Sequence, residues 1–426
     1  MTTALALAVA VAWAAPPGAA LPPAEAVHAQ IEGSVPSAGD TIDVSPPELV
    51  LTFSGPVEMA GAMLRLLGPA GRRWSLETPR RAGDPRVLTS PLPALEPGGY
   101  RLEWRVVSAD GHAISGDFTF YVAGGAAGEI ASPPPPSESG DTRGGTGVAS
   151  MQDVGGASPL LMATRAGADL ALLSLTGLLL FVAWGTATTG LTASVARVLS
   201  VIAPLLATVY AWLWAGEVLG GAPGVEARIA GLGSLTTGRA LSAEVILAWL
   251  VAWALLIARR PGIAAAFALT AAALGGLGGH PASYTPLISV PASGIHLLAV
   301  SAWLGGLLFL LTEHGASGFS ASARRVSAVA FVSVMLVAAT GLVQTWLFLG
   351  SVEQLTSSAF GWLVLAKVAG FGGLVAFGAY HRLRLLPAIA SDDGAARLKR
   401  SVGRELVLAA GVVVVAAVLS YTPPTP

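Results

Sequence analysis

The chain has 426 residues, of which 53% are hydrophobic and only 12% charged, against ~25% charged in an ordinary soluble domain, so most of it belongs in lipid. A formal net charge of −1, with no Lys/Arg run interleaved with aromatic residues, excludes a nucleic-acid-binding surface. With no cysteine there is no disulfide framework, no zinc knuckle and no thiolate for copper or an iron–sulfur cluster, so any metal has to be held by nitrogen, oxygen or thioether donors.

In chain order, residues 4–15, ALALAVAVAWAA, have the length of a signal-peptide core and are too short to cross a bilayer; a small-x-small cleavage site lies beyond them at Ala24-Glu25-Ala26. Residues 1–26 are therefore expected to be a signal peptide that exports the segment from residue 27 onward. From 27 to 123 come short β-rich runs such as ELVLTFSGPV, YRLEWRVVS and DFTFYV, separated by Pro and Gly turns. Their alternation of polar and apolar residues predicts half-buried strands and a small β-sandwich or barrel. Residues 124–158 are rich in Gly, Pro and Ser and lack bulky apolar side chains, so they cannot build a core and are expected to be a flexible linker. Residues 159–426 form an all-α membrane domain of about eight transmembrane helices, near 160–183, 195–215, 240–258, 263–280, 291–312, 326–349, 360–380 and 403–421, each long enough for ~30 Å of hydrocarbon.

Loop charge orients these spans. If the β-domain is exported, the cytoplasmic loops and helix ends hold Arg197, Arg259, Arg260, Arg324, Arg325, Arg382, Arg384, Arg397, Lys399, Arg400 and Arg404, and the outer loops only Arg228 and Arg239. That asymmetry is the positive-inside pattern, and it predicts a multi-pass protein of the cell membrane with both the N-terminal domain and the C-terminus on the extracytoplasmic side.

The six histidines sort onto this topology. His314 and His381 sit among arginines on the cytoplasmic side and read as interfacial residues. His280 closes GGLGGHPASY, and His296 lies about a turn and a half into the fifth span, so antiparallel neighbours would bring both imidazoles to similar depth. They read either as interfacial polar residues or as a two-histidine metal site. His112 follows Asp110 and Gly111 in VVSADGHAISGDFTFYV, where a strand breaks and resumes. Asp-Gly is a common hairpin signal, so the tripeptide reads as a turn with a solvated imidazole. Alternatively, with His28 at or next to a mature N-terminus, the amine, His28, Asp110 and His112 offer nitrogen and carboxylate oxygen, a donor set suited to tetragonal Cu(II). Met59 and Met63, in VEMAGAML, read as strand or core residues. Asp169, Lys367 and Glu244 lie in the outer halves of spans, and Asp169 and Lys367 read either as an ion pair that locks helices or as groups that move a cation.

HAQIEGSVPSAGDTIDVSPPELVLTFSGPVE at 28–58, followed by VVSADGHAISGDFTF, resembles the CopC family of periplasmic copper-binding proteins over residues 28 to about 123. The resemblance implies a Greek-key, cupredoxin-like β-barrel that binds Cu(II) through His28, Asp110 and His112. Residues 160–424 resemble the CopD family through GGH before an outer loop, GIHLLAVSAWLGGLL, FGWLVLAKVAGFGGLVAFGAYHRLRL and RELVLAAGVVVVAAVLSYTPP. That resemblance implies copper uptake or homeostasis, with His280 and His296 handling Cu(I) or Cu(II) in the membrane domain.

No G-x-x-x-x-G-K-[ST] loop and no cytoplasmic segment long enough for a nucleotide domain is present, which excludes ATP as the energy source. The chain is expected to be a copper-binding membrane protein rather than an enzyme, with copper ions and the lipid bilayer as its partners and neither nucleic acid nor nucleotide. It would capture Cu(II) outside and hand it to the membrane half. Two rival readings remain: a membrane haem protein with His280 and His296 as axial ligands, and a copper donor for oxidase assembly that moves no metal across the bilayer.

Overall fold

Alternating side chains build the N-terminal domain, as the period of the sequence predicts. The computed structural model describes residues 29–77, 79–81, 83–124, 150–153, 157–184, 189–220, 223–278, 286–313, 316–349, 351–389 and 392–422. The expected signal peptide, His28, His280, His314 and most of the expected linker lie outside the described residues. By contact, the described chain divides into two compact units, one taking Ser158–Leu213 and Ala240–Pro426, the other Ala26–Ala157 and Trp214–Arg239.

In the second unit, strands β1 (Ile31–Val35), β3 (Glu48–Phe53), β7 (Val87–Pro91) and β6 (Arg80–Arg81) form one sheet in the order β1-β3-β7-β6. The other sheet runs β10-β9-β8-β4-β5, from β4 (Val57–Leu67), β5 (Arg73–Ser75), β8 (Gly98–Ser108), β9 (Ala113–Val122) and β10 (Ser150–Asp153), and β2 (Thr41–Ile42) adds in parallel to the end of β9. Leu49, Leu51 and Phe53 of β3, Leu64 and Leu66 of β4, Tyr100, Leu102, Trp104 and Val106 of β8, and Phe118 and Phe120 of β9 are all buried and meet between the sheets. Aromatic geometry locks this core: Phe53 meets Trp104 edge-on at 5.5 Å, and Tyr100 stacks on Phe120 at 5.6 Å. Met59 packs partly buried against the core and Met63 points outward, both on β4. Within the segment read as linker, β10 pairs Ser150–Asp153 with Asp117–Ile114 of β9.

The same unit takes in residues 214–239, made of the end of α2 (Gly190–Leu219), all of α3 (Val225–Ser234) and the first residues of α4 (Thr236–Leu256). Two side chains of β-strands cap these helices. Arg105 of β8 donates from Nη2 to the carbonyls of Glu217 (2.6 Å) and Val218 (3.0 Å) in the last turn of α2, at the negative end of its dipole. Glu58 of β4 accepts from the backbone NH of Thr236 (3.3 Å) and from its hydroxyl (2.5 Å), at the positive end of α4. Burial lowers the pKa of the Arg105 guanidinium.

The first unit is helical: α1 (Pro159–Ala183), α5 (Pro261–Leu274), α6 (Pro286–Thr312), α7 (Ala316–Phe348), the single turn α8 (Gln354–Ser357), α9 (Ala359–Tyr380) and α10 (Asp392–Leu419), with most of α2 and α4. Ser158 starts α1 by accepting from the Leu161 NH at 3.2 Å, and Pro159 occupies the first turn, where a missing NH costs nothing. Among the described residues, seven helices are long and apolar enough to cross a membrane. The fourth expected span begins at Pro261. Its α-helix ends at Leu274 and continues as a 3₁₀ turn, Gly275–Leu277, because glycines weaken the helix there. Fourteen α residues and three 3₁₀ residues reach about 27 Å, against ~30 Å of hydrocarbon.

The heart of this unit is the α1–α6 crossing, where Gly177 faces Ser301 and Gly305, and Phe181 stacks on Phe309 at 5.6 Å.

Candidate metal centre

The β8–β9 hairpin carries the first site. Its last ladder pair is Val107 with Ala113, and the loop between them is closed by bonds from Ser108 NH to His112 O (2.8 Å) and from Gly111 NH to Ser108 O (2.9 Å). Gly111 adopts φ +87°, a left-handed conformation that a side chain would strain, and this lets the chain reverse within so few residues. Asp110 is 1% exposed, so its carboxylate is held inside the domain rather than in water. Its Oδ1 accepts from the His112 backbone NH at 3.1 Å, and its Oδ2 lies 3.0 Å from His112 Nδ1.

This pair can act on a metal in two ways. Donor atoms occupying neighbouring positions on a tetragonal ion, each ~2 Å from it, stand ~2.8 Å apart, close to the Oδ2–Nδ1 separation. Equally, a carboxylate held against Nδ1 orients the ring and leaves Nε2 as the metal donor, the arrangement common behind metal-bound histidines. Either way the turn presents a carboxylate and an imidazole two residues apart, without thiolate, and oxygen and nitrogen groups of this kind suit Cu(II). The structure thus brings Asp110 and His112 together. The third expected donor, His28, lies outside the described residues, and among the described residues no three His, Asp or Glu side chains gather as a metal site.

The family comparisons bear on this turn. Residues 31–123 match the CopC domain model and residues 320–419 the model for Copper resistance protein D. Copper resistance protein C of Escherichia coli is 36% identical over 106 residues, covering 22% of this chain and 81% of that protein. The chain carries a CopC domain and a CopD domain in one polypeptide, and it belongs to the CopC family. Protein YobA of E. coli K12 is 34% identical over 97 residues, covering 22% of this chain and 78% of YobA. The crystal structure of CopC from Methylosinus trichosporium OB3b shares 34% identity, covers 22% of this chain and 93% of that one, and superposes with a TM-score of 0.21. By its two domains the chain is a membrane protein with a role in copper resistance or transport, and its sandwich is a CopC domain.

In the helical unit, His296 sits partly buried on α6, with Nδ1 2.9 Å from Thr340 Oγ1 of α7. The Thr340 hydroxyl is also 2.6 Å from Leu336 O, to which it gives its only proton. It therefore accepts from His296, which places hydrogen on Nδ1 and leaves Nε2 with a lone pair. Lys367 of α9 lies within electrostatic reach of the imidazole. The expected companion, His280, lies outside the described residues. The turn leading toward it packs on the same helix: a Cβ on Gly275 would stand 2.8 Å from Leu297 Cδ1, and one on Gly276 2.9 Å from Val290 O. Gly275 and Gly276 thus bring this turn against the stretch of α6 that bears His296.

Two expectations are corrected. Asp169 pairs with Arg165, one turn earlier on α1, at 3.6 Å, rather than with Lys367. Arg165 in turn donates to Tyr210 OH at 2.7 Å, and that oxygen lies 2.7 Å from Tyr421 OH. An intrahelical partner four residues away needs no second helix to be brought into register. His381, read as interfacial, is buried: Nε2 lies 2.7 Å from Ser401 Oγ, Nδ1 lies 3.2 Å from Glu405 Oε2, and Trp303 Nε1 donates to Glu405 Oε1 at 3.1 Å. This cluster ties α6, α10 and the π turn His381–Leu385, and the sequence reading missed it. One signal was available, a Glu next to Arg404 at the head of the apolar run LVLAAGVVVV. Glu405→Gln is expected to lower the unfolding midpoint of the purified full chain by the equivalent of ~1–3 kcal/mol, the cost of disturbing buried hydrogen bonds. An unchanged midpoint in a thermal melt would show that the cluster does not hold the helices.

Proposed function

We propose that the CopC domain captures Cu(II) outside the cell membrane through Asp110 and His112, with His28 as the third donor, and passes the ion to the CopD half for uptake by way of His296 and His280. The observation that carries this reading is the Asp110–His112 pair, a buried carboxylate set against an imidazole at 3.0 Å on a turn whose left-handed Gly111 a side chain would strain. Two further observations support it. Residues 214–239, placed outside by the loop charges, share a compact unit with the CopC domain, which agrees with an exported β-domain. In the helical unit, the tautomer set by Thr340 leaves His296 Nε2 as a ready donor.

Uptake into sealed vesicles tests the reading. Vesicles bearing the full chain should accumulate copper above protein-free controls, and His296→Ala should reduce that rate by at least ~10-fold while Cu(II) binding to the CopC domain is kept. Normal accumulation by His296→Ala, at equal protein level, would remove His296 from the path. A Soret band in the purified protein would instead identify a haem site.

A further inference from the structure

The copper reading leaves one residue beside the metal turn unexplained. Thr237, in the first turn of α4 and in the same compact unit as the CopC domain, is only 7% exposed, and its hydroxyl has no hydrogen-bond partner among the described residues. Its side chain lies against Gly111, the residue between Asp110 and His112. A Cβ built on Gly111 would stand 2.5 Å from Thr237 Oγ1 and 2.8 Å from Thr237 Cβ. Polar groups are normally buried only with a partner, since water is lost to them otherwise. Valine has the same shape and would fill this space without leaving a polar atom unsatisfied, so packing alone does not account for the oxygen.

The position of Thr237 is also fixed from two sides. Glu58 holds Thr236, the preceding residue, through its NH and its hydroxyl, and Arg105 holds the end of α2 through two carbonyls. Both clamps come from strands of the CopC domain. The hydroxyl is thus presented to the turn by a braced helix start. The helix end by itself would repel a cation through its dipole, and the Glu58 carboxylate at that same end offsets this.

We propose that Thr237 belongs to the copper site, its hydroxyl supplying a neutral oxygen donor to the Cu(II) held at Asp110 and His112. The inference rests on the Cu(II) reading of that turn. Tetragonal Cu(II) binds strongly in one plane and weakly along the perpendicular axis, and an uncharged hydroxyl suits the weak position. The full chain therefore holds copper with a donor that a CopC domain lacking residues 214–239 does not possess.

The test uses the full chain in detergent, titrated with Cu(II) against a competing chelator and examined by electron paramagnetic resonance at one equivalent. Thr237→Val is expected to weaken Cu(II) binding ~3–10-fold, the loss of one weak contact, and to change the copper hyperfine splitting. Thr237→Ser should restore both. The metal-free Thr237→Val protein should melt no lower than wild type, because the change removes an unsatisfied hydroxyl. Wild-type affinity and an unchanged spectrum in Thr237→Val overturn the inference and leave copper binding at the turn intact. Weaker binding accompanied by a lower metal-free melting point also overturns it, since Thr237 would then act through folding. Failure of the wild-type chain to bind Cu(II) overturns the underlying reading, and this inference with it.

Discussion

His112→Ala is expected to weaken Cu(II) binding by the full chain by at least ~100-fold, since losing a ligand costs more than the ~10–100-fold that loss of a ligand's supporting group costs. The imidazole is one of two donors that the hairpin contributes, and no other histidine among the described residues of this unit is available to replace it. Asp110→Ala should match it in binding but differ in stability. His112 is partly exposed, and its loss leaves the turn intact, whereas Asp110 is buried and its Oδ1 also holds the His112 backbone NH. Removing that acceptor costs a further ~1 kcal/mol of folding stability. Competition titration with a chelator, paired with a melt of the metal-free protein, separates the two. If both variants bind Cu(II) as wild type does, the hairpin is only a turn, which is the plainer of the two readings its sequence allows.

That ambiguity shows how far the sequence carries. Strands were legible because alternation in a run such as YRLEWRVVS reports directly on which side chains face the core, and the structure buries Tyr100, Leu102, Trp104 and Val106. The apolar spans were legible for the same reason, since lipid imposes a composition. The Asp-Gly-His turn could be placed from its neighbours. Contacts between elements distant in sequence could not. Asp169 gives no sign of whether it pairs along its own helix or across to another, and His381 is followed by Arg382 and Arg384, whose charges suggest a surface. Yet His381 is buried against Ser401 and Glu405, while Arg382 reaches over the ring of Phe331 at 5.0 Å, so adjacent residues face different ways. Thr237 offers the clearest case: nothing around it in the sequence marks it, and only its burial beside Gly111 draws notice.

Gly177→Ala and Gly305→Ala are expected to be the most damaging single changes in the helical unit. A Cβ on Gly177 would stand 1.7 Å from Ser301 O and 2.9 Å from Gly305 Cα, and one on Gly305 2.1 Å from Gly177 C. These are backbone atoms, so no rotamer change relieves the overlap, and α1 and α6 have to move apart. In lipid no hydrophobic force pushes them together again; close packing is what holds them, and small residues are what permit it. Separation would also loosen the Phe181–Phe309 stack and the buried Leu178, Leu304 and Leu307 around it. Overpacking of this kind costs ~1–3 kcal/mol where neighbours can yield, and more where they cannot, so each variant should lose at least ~3 kcal/mol, with little folded protein recovered. Gly341→Ala supplies the contrast. It lies on α7, where an added Cβ meets nothing within 4 Å, and alanine's better helix propensity should leave stability unchanged or raise it by ~0.5–1 kcal/mol. Thermal melts of the three variants in one detergent decide the matter: if Gly177→Ala and Gly305→Ala melt with Gly341→Ala, the α1–α6 crossing is not the contact that holds this unit together.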